Sequence, residues 1–441
     1  MPKRRAVAKG KYMRNGFRVR RYERDRAATM MTLPDAIEKV LELAEPMEAI
    51  EISLSEAIGL VLAEPVIADV DLPPFDRAGT SGYAVQASEA FPGSLLRVAD
   101  PWHDHDSHTH EIDTGESARV EPGDALPVGA DAVLTDEEVR VDGGEAQARV
   151  IEVLAATEPG NSVIRRGTTL PAGSVLADAG TRITPAMVAL FASQGAIHPI
   201  CHRRVRVSIL AVGDHLVGPS DAPVLHHERN ASNLAISSLL LGLEAMVQDL
   251  GSVPEANFAK TLDRGLNAPV VLILGRLNGE MCRTLAHAGV EPLITGFGIE
   301  CSRISDFGHG VVRDEDERVV THVIHLSLDP VSALSAVSLY VLPLIARLQG
   351  DFDESPRGLS VIWDGRQPAT GGELRPVPAI LVAGSDARLR ARPVVEGGPI
   401  DLPDLARATG FAIFEPNQGP WIGGEVISFL PFNRSFARSE S

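Results

Sequence analysis

Lysine is almost absent from this chain. Five occur in 441 residues, Lys3, Lys9, Lys11, Lys39 and Lys260, and none follows Lys260. A lysine-bearing anion loop is therefore excluded from everything after that position. Cysteine is scarcer still. Cys201, Cys282 and Cys301 are odd in number and widely spaced. They form neither a disulfide framework nor a zinc motif, and they suit a reducing cytosol. No segment reaches the ~18 uninterrupted apolar residues of a membrane span. No apolar stretch follows the basic start, so a secretory leader is not expected. P-loop, dinucleotide and Ser-His-Asp nucleophile signatures are missing as well.

Negative charge is abundant, and it is unevenly placed. Residues 1–26 hold eleven Lys/Arg and two acids (+9); the remainder holds 30 basic and 57 acidic residues (−27). An acidic body argues against a general nucleic-acid surface, because phosphate contacts need clustered cations. Only the basic tail, residues 1–29, offers contacts to RNA or an anionic surface. It reads as a flexible solvated tail, or as the product of an upstream start codon with the folded chain beginning near Met30–Met31.

The length suits about three domains at ~150 residues each. Residues 32–44 read as a helix, with Thr32 as N-cap, Pro34 in the first turn and Ile37, Val40, Leu41 and Ala44 on one face. Ala57–Leu62 reads as a second, short helical piece stopped by Pro65. From Ile67 to about Val153, short β-branched runs among Gly, Asp and Pro suggest an inserted β-rich module. Residues 171–176 read as a turn and strand, and Thr184-Pro185 opens a helix that Gly195 ends. An α/β block follows. Val205–Val212, Val270–Leu274 and His322–Leu326 read as buried strands, Asn233–Val247 as a helix, and Pro330–Leu348 as a long amphipathic helix interrupted by Pro343. The alternation implies a parallel sheet with helices on both faces. From about residue 354 the texture is that of a small β module.

One stretch narrows the reading. Leu72-Pro73-Pro74-Phe75-Asp76-Arg77-Ala78-Gly79-Thr80-Ser81-Gly82-Tyr83-Ala84-Val85 resembles the PPFDxSxMDGYA signature of the molybdopterin molybdenumtransferases, the family of bacterial MoeA and the gephyrin E-domain. Further frames of that family recur in order: LPVGADAV at 126–133, AGTRITP at 179–185, VSILAVGDHL at 207–216, residues 238–254, PVSA at 330–333 and LARATG at 405–410. Together they cover about residues 32–430.

The resemblance implies a multidomain α/β plus β fold. Its parts would be an elongated dimerisation domain (30–66 and 163–202), an inserted β lid (67–162), an α/β molybdopterin-binding-type domain with a mostly parallel sheet (203–352) and a C-terminal β-barrel (353–441). It implies a homodimer with the cleft between subunits, and a molybdoenzyme or cofactor-biosynthesis protein as further partner. The implied ligands are molybdopterin or adenylyl-molybdopterin, molybdate and Mg, and the implied place of work is the cytoplasm.

Several family positions are filled differently. Ser81 stands where an acid precedes the glycine, and His215 replaces the acid after Asp214. Arg276 replaces a glycine of the SGGVSxGxxD loop, where Glu280 is the nearest carboxylate. Thr295–Ile299 occupies the place of the KPGKP lysine loop, and Asp329 that of the PGN asparagine. Pro122 and Ile164 fill a threonine and an arginine position. The strands stay intact, so the expectation is a retained fold with altered chemistry: an enzyme with a changed site, or a binding scaffold or regulator.

Asp214 and Glu280 are the catalytic candidates. Asp214 follows a strand end, where open α/β sheets bind ligands, although an Asp there also caps well. The ligand-binding candidates are Asp76, Ser81, Gly82, Gly213, Asp214, Gly275, Arg276, Asn278, Asp329, Pro330 and Ser332. A third reading is metal binding by His103, His105, His108 and His110, which pair by face in an extended chain. The competing reading of that stretch is a polar loop. His226-His227-Glu228 reads as a solvated loop, and His322 and His325 read as structural residues on opposite faces of a strand.

Overall fold

The structure, a computed structural model, describes residues 31–99, 111–141, 150–294, 307–352, 358–398 and 400–432. The Leu33–Leu41 helix forms where its caps place it. The Asp35 amide donates to Thr32 Oγ1 (3.3 Å), and Leu33, Ala36, Val40 and Leu41 are buried. That stripe packs on the helical segment Leu342–Leu348 and joins the core of the α/β unit.

The next residues form an extended stem. Ala49–Glu51 pairs antiparallel with Ile200–His202, and Val66–Ile67 with Val175–Ala177, so the outgoing and returning chains lie side by side. Ala57–Leu62 is not a helix. Gly59 takes φ +78°, and Val61 and Leu62 bridge to Arg182 and Cys201. A left-handed glycine ends any helical run, and Leu60 and Leu62 enter the stem core as non-helical chain.

Between the stem chains sits a six-stranded sheet in the order 132–135, 82–85, 116–120, 95–98, 150–153, 139–141. Asp76 and Asp71 clasp the two chains that enter and leave it. Asp76 accepts the Arg166 amide (2.7 Å) and the Arg165 guanidinium (2.6 Å). Asp71 accepts Arg166 Nε (2.5 Å) and the Ala172 amide (2.8 Å). The Arg166 N–H, then Arg165, hold the Asp76 carboxyl below its usual range.

The α/β unit is a six-stranded sheet in the order Met246–Val253, Arg206–Val212, Val270–Leu274, Val319–Leu326, Gly308–Arg313, Glu291–Ile294. The first four strands are parallel; the last two join antiparallel. The helix expected to reach Val247 spans Ser232–Leu241. Gly242 caps it, Glu244 takes φ +57°, and Val247 already pairs with Val207 in the sheet.

The Pro330–Leu348 helix is not amphipathic. It is buried nearly all round, between the sheet, the Ser232–Leu241 helix and the Leu33–Leu41 helix. By length and composition it could cross a membrane, yet protein covers it. A wide π turn at Val337–Val341 precedes Pro343. That turn absorbs the missing N–H and the ring's clash with the carbonyl four residues back. The last unit is a closed barrel of Leu359–Trp363, Leu389–Pro393, Arg375–Ala383, Gly410–Phe414 and Val426–Pro431. It is filled by Trp363, Phe414, Trp421 and Phe429, and it adds Leu405, Phe411, Ile413 and Leu430 to the α/β core.

Under the long helix lies a buried polar chain. His309 Nδ1 meets Tyr340 Oη (2.7 Å), and His309 Nε2 meets His322 Nδ1 (3.1 Å). Burial pushes His322 down to about 4, and burial together with His322 pushes His309 well below 6.5. Both rings stay neutral in the fold, whereas the unfolded chain takes up these protons below about 6.5. Between pH 6.5 and about 4 the unfolded state therefore binds more protons, and stability falls as pH drops through that window. The loss from His322 alone should be on the order of 3 kcal/mol. Thermal melts across pH 7 to 4.5 should show a steady fall in Tm; a flat profile is the contrary result. The carboxylates with lowered pKa, such as Asp76, act only further down the scale. Opening the clasp with Asp76→Ala should speed limited proteolysis near residues 71–78 and 163–172 severalfold, and unchanged cleavage would show that the clasp does not hold the junction.

Candidate functional site

The C-terminal ends of the four parallel strands form one rim, the edge where open α/β sheets hold ligands. It carries Gly213 and Asp214, Pro254 and Glu255, Gly275 to Asn278, and Ser327 to Pro330. The strand ends are stitched together there. The Gly213 amide donates to the Val253 carbonyl (3.1 Å), and the Gly275 amide to the Leu326 carbonyl (3.1 Å). Gly275 takes φ +115°, and a Cβ at that position would lie 2.4 Å from the Val212 carbonyl oxygen. No other residue fits without moving the neighbouring strand. His325 Nε2 bonds to the Gly275 carbonyl and ties the other end of the same residue to the next strand.

The rim carboxylates are largely engaged. Asp214 Oδ1 accepts the Glu255 amide (2.9 Å), Glu255 Oε2 accepts Asn278 Nδ2 (2.7 Å), and Asn278 Oδ1 accepts the amides of Glu280 (3.0 Å) and Met281 (2.9 Å). Asn278 is thus the N-cap of the Gly279–His287 helix. Asp329 plays that part for the long helix, accepting the Ser332 amide (2.9 Å) and hydroxyl (2.7 Å), with Pro330 in the first turn. Ser332 is buried beneath it. Glu280 and Arg276 are exposed. Arg276 makes no ion pair or hydrogen bond among the described residues. His215 lies 3.4 Å from Glu228, on a small flap where Leu216–Val217 pairs with Glu228–Arg229.

The structure therefore gathers Gly213, Asp214, Gly275, Arg276, Asn278, Glu280, Asp329, Pro330 and Ser332 on one unit. Asp76, Ser81 and Gly82 lie apart, at the base of the lid sheet. No hydrogen bond or ion pair among the described residues joins the two groups. Asp76 serves the clasp. Gly82 is required because a Cβ there would lie 1.9 Å from the Leu134 carbonyl oxygen. Ser81 is half-buried, and its hydroxyl has no partner among the described residues. His103, His105, His108 and His110 fall outside the described residues, and among the described ones no three His, Cys, Asp or Glu side chains cluster to hold a metal.

Sequence reasoning missed Glu255 and His325 as rim residues. His325 has the face opposite His322 that strand alternation gives it. Its bond to Gly275, however, depends on strand order, which no local pattern carries. Asn233 was missed as well. It is buried, donates to Asp249 Oδ1 (2.7 Å), and leaves its own Oδ1 without a partner.

Comparison with known proteins follows the same outline. Residues 31–195 match the model of the MoeA N-terminal region, domains I and II. A molybdopterin molybdenumtransferase of Haemophilus influenzae is 26% identical over 410 residues, covering 92% of this chain and 99% of its own. Molybdopterin molybdenumtransferase 1 of Mycobacterium tuberculosis is 29% identical over 323 residues, 67% of this chain and 73% of its own. Among solved structures, a molybdopterin biosynthesis MoeA protein from Pyrococcus horikosii superposes with a TM-score of 0.76 at 22% identity, over 92% of this chain and 99% of that one. The likeness runs over nearly the whole of the Haemophilus and Pyrococcus proteins and 73% of the Mycobacterium one, so the chain is similar to MoeA proteins from end to end, and its residues 31–195 match their N-terminal region.

Proposed function

We propose that this protein works in molybdenum-cofactor biosynthesis, binding molybdopterin on the α/β rim and handling molybdate there. The observation that carries the reading is the end-to-end match with a molybdopterin molybdenumtransferase, 92% of this chain against 99% of the relative. The rim geometry supports it. Gly213 and Gly275 bring backbone close to the cleft, and the Gly279–His287 and Pro330–Leu348 helices start there. Amides at such starts favour a phosphorylated, anionic ligand. The finer form of the proposal is that the ligand arrives as its adenylate, with Mg. Mg needs only one or two protein carboxylates when a phosphate supplies the other oxygens, and Asp214 and Glu280 are exposed acids at that edge.

The protein is proposed to act as a cytoplasmic homodimer. The Pro185–Ser193 helix is apolar on nearly all sides, yet Phe191 is its one fully buried residue. Ala186, Ala189 and Ala192 face outward, and Ile197 beside them is 54% exposed. A contiguous apolar face of this kind marks an interface.

Two measurements test these readings. Expression in a strain lacking its own molybdenumtransferase should restore molybdoenzyme activity, and purified protein should carry a pterin that fluoresces after oxidation. A protein that neither complements nor binds molybdopterin would end the functional reading. Ala189→Glu should shift the sedimentation mass from dimer to monomer without lowering the far-UV helical signal, whereas a wild-type monomer would remove the dimer.

A further inference from the structure

We propose that Arg276 is the rim's contact for a doubly charged tetrahedral oxyanion, and that His325 on the neighbouring strand positions it. The proposal rests on reading this rim as the molybdopterin site, and it names the group that holds the charge. The relevant anions are a phosphate monoester and an oxometalate, which share a double negative charge and tetrahedral oxygen geometry.

Arg276 follows a central strand of the sheet, Val270–Leu274, and is exposed. Many of the other arginines are paired, as Arg165 is with Asp76, Arg182 with Asp351 and Arg392 with Asp364, while Arg264, Arg283 and Arg388 on outer faces are unpaired among the described residues like Arg276. Such pairing is expected of a body with 57 acids and 30 bases. Arg276 shares its rim with Asp214, Glu255, Glu280 and Asp329 and pairs with none of them. Three of those acids already accept a bond from another donor. Asp214 takes the Glu255 amide, Glu255 takes Asn278, and Asp329 takes Ser332. The guanidinium is left with its planar fork of donors available, the shape that grips two oxygens of a phosphate or oxometalate at once. No lysine competes for the role, because none follows Lys260. On the neighbouring flap His215 lies against Glu228, and Arg229 donates to the Asp221 carbonyl.

The backbone under Arg276 is fixed more firmly than an exposed surface arginine requires. Gly275 lies against the Val212 carbonyl, which its missing Cβ permits. Its amide is bound by Leu326 and its carbonyl by His325, so both ends of the residue before Arg276 are tied to one strand. His325 is 8% exposed. It acts on a ligand only through the peptide that carries Arg276, which makes it a positioning residue. Glutamine places a donor nitrogen where His Nε2 stands and should keep the tie; leucine should lose it.

The test is equilibrium binding by the full-length protein. The probes are molybdopterin, molybdate alone and adenosine 5′-monophosphate, the last serving as a plain phosphate monoester. Arg276→Ala should weaken molybdopterin about 10- to 100-fold, the range of one charge-assisted contact, and Arg276→Lys should recover only part of that. His325→Leu should give a similar loss and His325→Gln should rescue it. Arg276→Ala with His325→Leu should lose no more than Arg276→Ala alone. Matching loss of molybdate assigns the contact to the oxometalate, and matching loss of the nucleotide assigns it to the phosphate. If wild-type protein binds molybdopterin and Arg276→Ala binds it equally, the Arg276 assignment is wrong while the site reading stands. Additive losses in the double variant overturn the positioning role. Should His325→Leu fail to fold, a His325→Gln variant that binds more weakly than wild type overturns that role equally. If wild type binds none of the three probes, the site reading itself fails, and this inference with it.

Discussion

The fold hangs on the burial of one helix. Pro330–Leu348 has apolar side chains on every face, so no arrangement that leaves a face in water is stable. Each fully buried Val, Leu or Ile is worth ~1.5–3 kcal/mol, and the helix carries Val337, Leu339, Val341, Leu342, Leu344, Ile345 and Leu348. Covering them takes the sheet, the Ser232–Leu241 helix, the N-terminal Leu33–Leu41 helix and the edge of the barrel. Elements three hundred residues apart are thereby drawn into one core. The polar chain of His309, His322 and Tyr340 lies in the same layer. It is tolerable there because His309 is bonded at both ring nitrogens and both rings stay neutral.

That helix also fixes the rim. Its first turn begins at Asp329, immediately after the strand Val319–Leu326 leaves the sheet, so its start must lie at the C-terminal edge. The adjoining loops solve the same problem of unsatisfied amides at a helix or turn start. Asp214, Asn278 and Asp329 are drawn into that task, and Glu255 links two of the loops. A carboxylate in a loop over a parallel sheet is thus not free merely because it is near solvent. Capping competes with ligand binding for the same oxygens, and on this rim such bonds take at least one oxygen from each of Asp214, Glu255 and Asp329.

Legibility in the sequence follows from how local each cause is. Val270–Leu274 is buried on both faces, so a short unbroken apolar run suffices to reveal it. The caps at Thr32 and Thr184 announce their helices for the same reason. Ala57–Leu62 misleads because its apolar spacing suits a helix while Gly59 and the pairing partners Arg182 and Cys201 decide otherwise. Val247 misleads because it continues an apolar run past a chain reversal at residues 242–244. The long helix is legible in extent but not in environment, since being covered on all sides depends on elements from both ends of the chain. Within the site, glycines and caps could be read from spacing. Glu255 and His325 could not, because their roles come from strands adjacent only in space.

The positions that make the family recognisable divide by what holds them. Gly82 is required by the Leu134 carbonyl, Gly275 by the Val212 carbonyl, and Asp76 by the clasp with Arg165 and Arg166. Any chain with this backbone has the same need, whatever it binds. Ser81 and Arg276 are different: no described neighbour engages either side chain. A motif match through the first group therefore testifies to architecture, and only the second group can report on the ligand. In this chain the rim member of that second group is a lone arginine on a surface otherwise rich in acids. In the proposed site, charge selection would rest on that fork of donors and the peptide that supports it.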